Sequence, residues 1–195
     1  MKAEFLDNIK KFGICDPITG YPPQDERALS GLLCLYSQQN KIIWNNIPLR
    51  DVADFSKQKG NAADFIDTAG VYLAEYKLLG DTEGTIWNDM SADIMYASAD
   101  YKTVVIFENK IGPGIGYEPS PVSNQFARQL EYLIKLKRQH IIKAALFLIS
   151  PEELLKKGRF CGDNELKGAL TYGNRDQTVP GYLIAWEDIF KNIRL

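Results

Sequence analysis

The strongest constraint on the fold is residues 103–107, Thr-Val-Val-Ile-Phe, whose side chains are apolar along almost the whole segment. Successive side chains of a β-strand point to opposite faces of the sheet, so this pattern predicts a central strand buried on both sides. Residues 144–149, Ala-Ala-Leu-Phe-Leu-Ile, predict a second buried strand. We therefore expect a sheet that is covered on both faces.

The remaining elements follow from hydrophobic periodicity and capping residues. The predicted helices are 25–38, 61–79, 123–139 and 187–193, with Asn61 and Ser123 as caps of the second and third. The predicted strands are 85–88, 92–97, 103–110, 144–149 and 182–186. From residue 61 onward the order is helix, three strands, helix, strand, which indicates a mixed α/β sandwich.

Composition excludes several kinds of chemistry. The 195 residues are most simply one domain, and 23 basic against 25 acidic residues give a net charge of −2, unlike a general nucleic-acid coat protein. The single histidine, His140, excludes metal sites built on several imidazoles. The three cysteines form no CxxC pair, so neither a zinc ribbon nor a redox pair is encoded.

The expected location is the cytoplasm. The longest apolar runs are too short to cross a bilayer, and the first residues contain no apolar stretch typical of a secretory signal. The widely spaced cysteines also suit reduced cytosolic thiols. If the protein is an enzyme, its composition favours carboxylates, lysines and metal ions.

Three charged residues form the most informative pattern. Glu108 and Lys110 end the apolar strand and are separated by one residue, so both point to the same face. Asp93 lies in the preceding predicted strand, and the short turn between the strands favours antiparallel pairing. The two carboxylates are therefore expected to converge beside an ammonium group at one end of the sheet.

Paired carboxylates without histidine suit Mg²⁺, which prefers oxygen ligands and retains several waters. A bound Mg²⁺ can polarise a phosphoryl oxygen, and Lys110 would orient the attacking water or neutralise developing negative charge. Taken alone, however, the same charges also fit a solvated sheet edge, and a plain interaction protein is then the corresponding function.

A wider pattern resembles the PD-(D/E)XK nuclease superfamily, the restriction-endonuclease-like proteins. The resemblance rests on Ala-Asp-Ile at 92–94, Val-Val-Ile-Phe-Glu-Asn-Lys-Ile at 104–111, Gln-Leu-Glu-Tyr-Leu at 129–133 and the closing Tyr-Leu-Ile-Ala-Trp at 182–186. It implies an αβββαβ core with a mixed sheet flanked by helices, spanning residues 61–195. Residues 1–60 are not covered and are expected to form a mainly helical extension packed on that core.

The resemblance also implies the roles of the site residues. Asp93 and Glu108 bind Mg²⁺, with Mn²⁺ as a substitute, and Lys110 assists phosphodiester hydrolysis. Glu75 matches the acidic residue of the first core helix, and Gln129 matches the supporting glutamine of the second helix. Gln125 lies one turn before Gln129, so the choice between the two glutamines stays open.

The leading hypothesis is therefore a Mg²⁺-dependent nuclease that acts on DNA. The alternative is a non-catalytic binding module with the nuclease fold inside a DNA repair or defence complex. The sequence leaves open a homodimer, the choice between endonuclease and exonuclease, and the nucleic acid recognised. The glycine-rich segment 112–116 lacks the Lys-Ser/Thr ending of a P-loop and is expected to be a hinge over the site.

Overall fold

The computed structural model describes residues 26–78, 91–111, 124–158, 160–162, 165–173 and 178–194. The predicted strand 85–88, the cap Ser123 and the glycine-rich segment 112–116 lie outside these residues. Within them, no helix combines the length and the apolar character needed to cross a bilayer.

A single mixed sheet of seven strands organises the fold, in the order β2-β1-β7-β6-β5-β4-β3. Its strands are β1 (Pro48–Arg50), β2 (Gln58–Asn61), β3 (Val71–Lys77), β4 (Ser91–Ala97), β5 (Thr103–Asn109), β6 (Lys143–Ser150) and β7 (Gly181–Ala185). Strands β3, β4 and β5 pair antiparallel, whereas β5, β6 and β7 are parallel. The predicted class, a mixed α/β sheet flanked by helices, is confirmed.

Helices cover both faces of this sheet. Helix α1 (Glu26–Gln38) packs on one face, and helix α2 (Gln125–Gln139) packs on the other. Two short helices follow β6 and β7, namely α3 (Glu152–Lys156) and α4 (Trp186–Lys191), and a helical turn covers Leu166–Gly173. The chain therefore buries two hydrophobic clusters, one on each side of the sheet.

The two-sided burial of β5 agrees with its sequence. Val105 and Phe107 contribute to the cluster under α1, whereas Val104 and Ile106 contribute to the cluster under α2. Phe107 is fully buried and meets the ring of Phe147 edge-on, with 5.4 Å between the ring centroids. Alternation along one strand thus supplies both layers of the core.

The predicted helix over 61–79 is wrong. Asn61 does cap a helical turn, but that turn is a 3-10 turn of three residues, Ala62–Asp64, and the chain then enters strand β3. Gly70 precedes this strand and lies against the Tyr96 ring, where an added Cβ would stand 2.1 Å from a ring carbon. Strand pairing with β4 therefore prevails over the helical spacing of the aromatic residues.

The order helix, three strands, helix, strand is nevertheless present, with α1 in the first position. It runs through α1, β3, β4, β5, α2 and β6, and β1 and β2 are inserted after α1. Both inserted strands belong to the same sheet, and residue 60 lies inside β2. The cap of α2 is Asn124, whose side chain accepts a hydrogen bond from the Ala127 N–H.

Candidate active site at the end of strand β5

The predicted site residues Glu108 and Lys110 meet at the carboxyl end of β5. Lys110 Nζ lies 2.6 Å from Glu108 Oε1, and the Glu108 side chain has no solvent exposure. Such a buried carboxylate is tolerated only when it is paired and hydrogen-bonded. The strand end therefore carries a charged pair inside the protein rather than a solvated sheet edge.

Two glutamines of α2 hold the same carboxylate. Gln125 Nε2 donates to Glu108 Oε1 at 2.7 Å, and Gln129 Nε2 donates to Glu108 Oε2 at 2.6 Å. They are four residues apart and so lie on the same side of the helix, above the strand end. Both candidate glutamines therefore donate to the same carboxylate, and a supporting role for one does not exclude the same role for the other.

Asp93 joins this group from β4. The regular β4–β5 pairing runs as far as Ile94↔Phe107, and beyond it Asp93 Oδ2 accepts the Asn109 N–H at 2.7 Å. The side chain thus replaces a backbone partner where the two strands separate. This places a second carboxylate next to Glu108, as the sequence predicts.

The electrostatics of the group reflect two carboxylates in a small space. Burial and the neighbouring charge of Glu108 raise the pKa of Asp93 to about 7, although the Asn109 N–H counteracts both. Burial also raises the pKa of Glu108, while Lys110 and the Gln129 amide act in the opposite direction. Two adjacent carboxyl groups with raised pKa values form a site whose ionised state a cation would stabilise.

Lys110 stays charged in this environment. Burial alone would lower its pKa, but Glu108, Glu26 and Asp93 outweigh burial and raise the pKa of Lys110 above its ordinary value. The side chain therefore presents an ammonium group near neutral pH. It can orient a nucleophile and balance negative charge, but it cannot accept a proton.

Sequence reasoning missed one residue of the cluster, Glu26. This residue lies in the first described turn of α1, where Oε2 is 3.3 Å from Lys110 Nζ and Oε1 accepts the Ile111 N–H at 3.1 Å. Eighty-four residues separate Glu26 from Lys110 in the chain. An acidic residue at the start of the predicted helix 25–38 was the only signal that could have pointed to it.

Glu75 lies in a different setting from the predicted one. It belongs to edge strand β3, its side chain is exposed, and its φ of 50° is unusual for a residue other than glycine. The flanking pairs Ala74↔Ile94 and Tyr76↔Ala92 bring its backbone next to Asp93. Among the described residues, however, no hydrogen bond or ion pair joins Glu75 to the other four predicted site residues.

The donor set fits a small oxygen-seeking cation. Asp93 and Glu108 supply two carboxylates, and Mg²⁺ commonly binds one or two carboxylates and keeps waters in its other positions. Gln129 Oε1, beside Glu108, is a buried acceptor to which no residue in the described ranges donates, so the cluster also has unused acceptor capacity. Within the described part of the chain, no three His, Cys, Asp or Glu side chains form a complete protein cage for a metal.

A cavity of about 480 Å³ lies elsewhere, lined by Arg50, Phe55, Lys156, Cys161 and neighbouring residues. Its charged groups are already engaged, because Arg50 pairs with Asp188 at 2.5 Å and Lys156 pairs with Glu152 at 2.7 Å. The Cys161 thiol donates to the Val52 carbonyl, and burial raises its pKa. This cavity contains none of the predicted site residues and offers no activated nucleophile.

Comparisons with known proteins assign this chain to no family. No known protein family matches the sequence, and no curated protein does. The solved structure of SfsA from Pyrococcus furiosus in complex with Ca²⁺ is similar with a TM-score of 0.34 and 16% identity over 60% of this chain. The matched part spans 48% of that protein, and a likeness of this size carries no argument about activity or ligand.

Proposed function

We propose that the protein is a Mg²⁺-dependent nuclease that hydrolyses phosphodiester bonds in DNA. The observation that carries the proposal is the meeting of Asp93, Glu108 and Lys110 at the end of β5, with the Lys110 ammonium 2.6 Å from Glu108. The resemblance to the PD-(D/E)XK superfamily at these positions supports the same conclusion. Membership in that superfamily is part of the proposal.

Each residue has a stated role in the proposed reaction. A divalent ion held by Asp93 and Glu108 would supply Lewis acidity and neutralise charge on the phosphate. Lys110 orients the water that attacks phosphorus and offsets the negative charge that develops on the phosphoryl oxygens. As the water oxygen bonds to phosphorus it gives up a proton to solvent, the ester P–O bond breaks, and the leaving oxygen takes up a proton from solvent.

Gln125, Gln129 and Glu26 act as positioning residues in this scheme. The two glutamines fix the direction of both Glu108 oxygens, and Glu26 pairs with Lys110. Precise placement of reacting groups is worth several orders of magnitude in rate. The buried environment limits the freedom of these side chains and so favours one arrangement.

The test is a cleavage assay with purified protein on linear, circular and single-stranded DNA in Mg²⁺ or Mn²⁺. We expect the wild type to cut at least one substrate and Asp93→Asn to cut none. Asparagine can still accept the Asn109 N–H, so this variant removes the charge and keeps the hydrogen bond. Equal cutting by wild type and Asp93→Asn, or no cutting by the wild type under any of these conditions, would contradict the proposal.

A second candidate is a non-catalytic binding module that keeps the nuclease fold. It is favoured because the charged groups of the site are already paired within the protein: three donors contact Glu108 and two carboxylates contact Lys110. The near-neutral net charge of −2 favours it as well. Retained DNA binding in the absence of cleavage and of Mg²⁺ binding would support this candidate.

A further inference from the structure

Asn109 separates Glu108 from Lys110 in the sequence and points to the opposite face of the sheet. Its side chain is fully buried, and Nδ2 donates to Ser30 Oγ of α1 at 2.5 Å. Ser30 is 1% exposed, and its own hydroxyl donates to the Glu26 carbonyl one turn earlier, at 3.0 Å. A buried polar chain thus runs from the strand end to the helix residue that holds Lys110.

The side-chain carbonyl of Asn109 is an unusual part of this series of hydrogen bonds, because it lies in an apolar layer. Asn109 Oδ1 is buried and has no hydrogen-bond partner among the described residues, and its neighbours on that face include the apolar Phe107 and Ile149. An unpaired buried carbonyl destabilises the folded state, whereas an apolar side chain of similar size would suit the surroundings. Stability alone therefore does not account for an asparagine here.

The same residue also connects the site to β4. The Asn109 N–H donates to Asp93, while its side chain fixes Ser30, so one residue contacts both a site carboxylate and α1. Near it, Glu26 receives the Lys110 ammonium and the Ile111 N–H. Glu26 and Ser30 of α1 are thus joined to the strand end by three polar contacts.

We propose that Ser30 and Asn109 are positioning residues whose buried hydrogen bond fixes α1 at the strand end and holds Glu26 against Lys110. For its effect on catalysis this inference rests on the proposed function. Its structural part, the placement of the Lys110 ammonium between two carboxylates, can be tested without any activity.

The test uses Ser30→Ala, Asn109→Leu and a matched control, Ser37→Ala. Ser37 is also a buried serine of α1, 3% exposed, and its hydroxyl makes the same kind of bond to the carbonyl four residues earlier, at 2.6 Å. It lies near Tyr72 instead of the end of β5. The control therefore removes an equivalent hydroxyl from the same helix without touching the proposed contact.

The first readout is the acetylation rate of Lys110 by N-hydroxysuccinimidyl acetate, followed by peptide mass spectrometry. Loss of one hydrogen bond that holds the lysine's partner should raise the rate about fivefold in Ser30→Ala and Asn109→Leu. Ser37→Ala should leave the rate at the wild-type value. Thermal melts accompany each variant, and Asn109→Leu should melt no lower than Ser30→Ala because it removes the unpaired carbonyl.

The second readout is DNA cleavage, in which Ser30→Ala should lower kcat about tenfold with KM unchanged. Equal Lys110 acetylation in Ser30→Ala and Ser37→Ala would overturn the inference, whatever the cleavage result. If the wild type cuts no DNA but Lys110 acetylation rises in both site variants, the proposed function fails and the positioning role stands. If the wild type cuts DNA and neither readout changes in Ser30→Ala, the positioning role fails alone.

Discussion

The two halves of strand β5 are both buried, yet they are made of opposite kinds of residues. Val104 to Phe107 pack into the two hydrophobic clusters, whereas Glu108 and Asn109 are equally buried but polar, and Lys110 follows them. Burial of the first half stabilises the fold, and burial of the second half opposes it unless every group is paired. Under the proposed function, the second half of β5 forms the site at some cost in stability.

The largest expected effect is at Lys110. Replacing it with glutamine keeps a donor for Glu108 but removes the ammonium, and should reduce DNA cleavage about a thousandfold, since it removes the group that balances transition-state charge. Lys102 lies in the exposed turn before β5, where it is 3.9 Å from Asp100. Lys102→Gln is therefore the matched control and should retain wild-type cleavage. Comparable losses in both variants would show that lysines act only through general attraction to DNA.

Substitutions in the apolar half of β5 should lower stability and leave the cleavage rate of folded molecules unchanged. Phe107→Ala removes a fully buried ring between α1 and the sheet and should lower the free energy of unfolding by about 3–5 kcal/mol, measured by urea denaturation. The folded fraction should keep its cleavage rate. Tyr101→Ala, at a ring that is 71% exposed, should change stability by less than about 0.5 kcal/mol. If Phe107→Ala abolished the activity of folded molecules, the separation of β5 into a half that stabilises the fold and a half that forms the site would be contradicted.

Substitutions of two glutamates test which acidic residue supports the site. Glu26→Gln removes one of the two carboxylates at Lys110 and should lower kcat about tenfold, as is typical for residues that support a catalytic group. Glu75→Gln changes an exposed side chain of edge strand β3 and should have little effect. Steady-state cleavage rates of the two variants decide between them. A larger loss for Glu75→Gln would restore the role that the resemblance implies for that residue.

The smallest expected effect is a pH dependence of the metal-free protein. The pKa of Asp93 is raised from 3.8 to about 7, so the folded state binds its proton more tightly than the unfolded state. The free energy of unfolding should therefore decrease as the pH rises from 4 to 7, and Asp93→Asn should lose this part of the pH dependence. Thermal melts in EDTA across this range provide the measurement. An identical pH profile for wild type and Asp93→Asn would contradict the electrostatic account.

Much of the sheet could be predicted because its strands carry strong local patterns. Strands β5 and β6 follow from continuous apolar runs, and helix α2 follows from a clear apolar face on which Phe126, Leu130 and Leu133 are buried. The convergence of Asp93 and Glu108 followed from the same elements, whereas the supporting role of Gln129 was implied by the resemblance. Local sequence determines these features because each segment buries its own apolar side.

The errors lie where distant contacts decide the structure. The aromatic spacing of residues 65–76 fits a helix face, yet β-branched and aromatic residues next to Gly70 also suit a strand, and pairing with β4 selects the strand. Glu26 meets Lys110 only because α1 packs across the sheet, and its position at the start of a predicted helix does not by itself indicate that contact. The acidic partner of the site was therefore assigned to Glu75 in a helix that does not form.

The most direct test of the central claim is titration of the purified protein with Mg²⁺ and Mn²⁺ by isothermal calorimetry at pH 8, above the pKa of about 7 of Asp93. The wild type should bind a divalent ion, and Asp93→Asn should lose that binding while its circular dichroism spectrum and melting curve stay close to those of the wild type. No binding by the wild type, or undiminished binding by Asp93→Asn, would contradict a cation site formed by Asp93 and Glu108 beside Lys110.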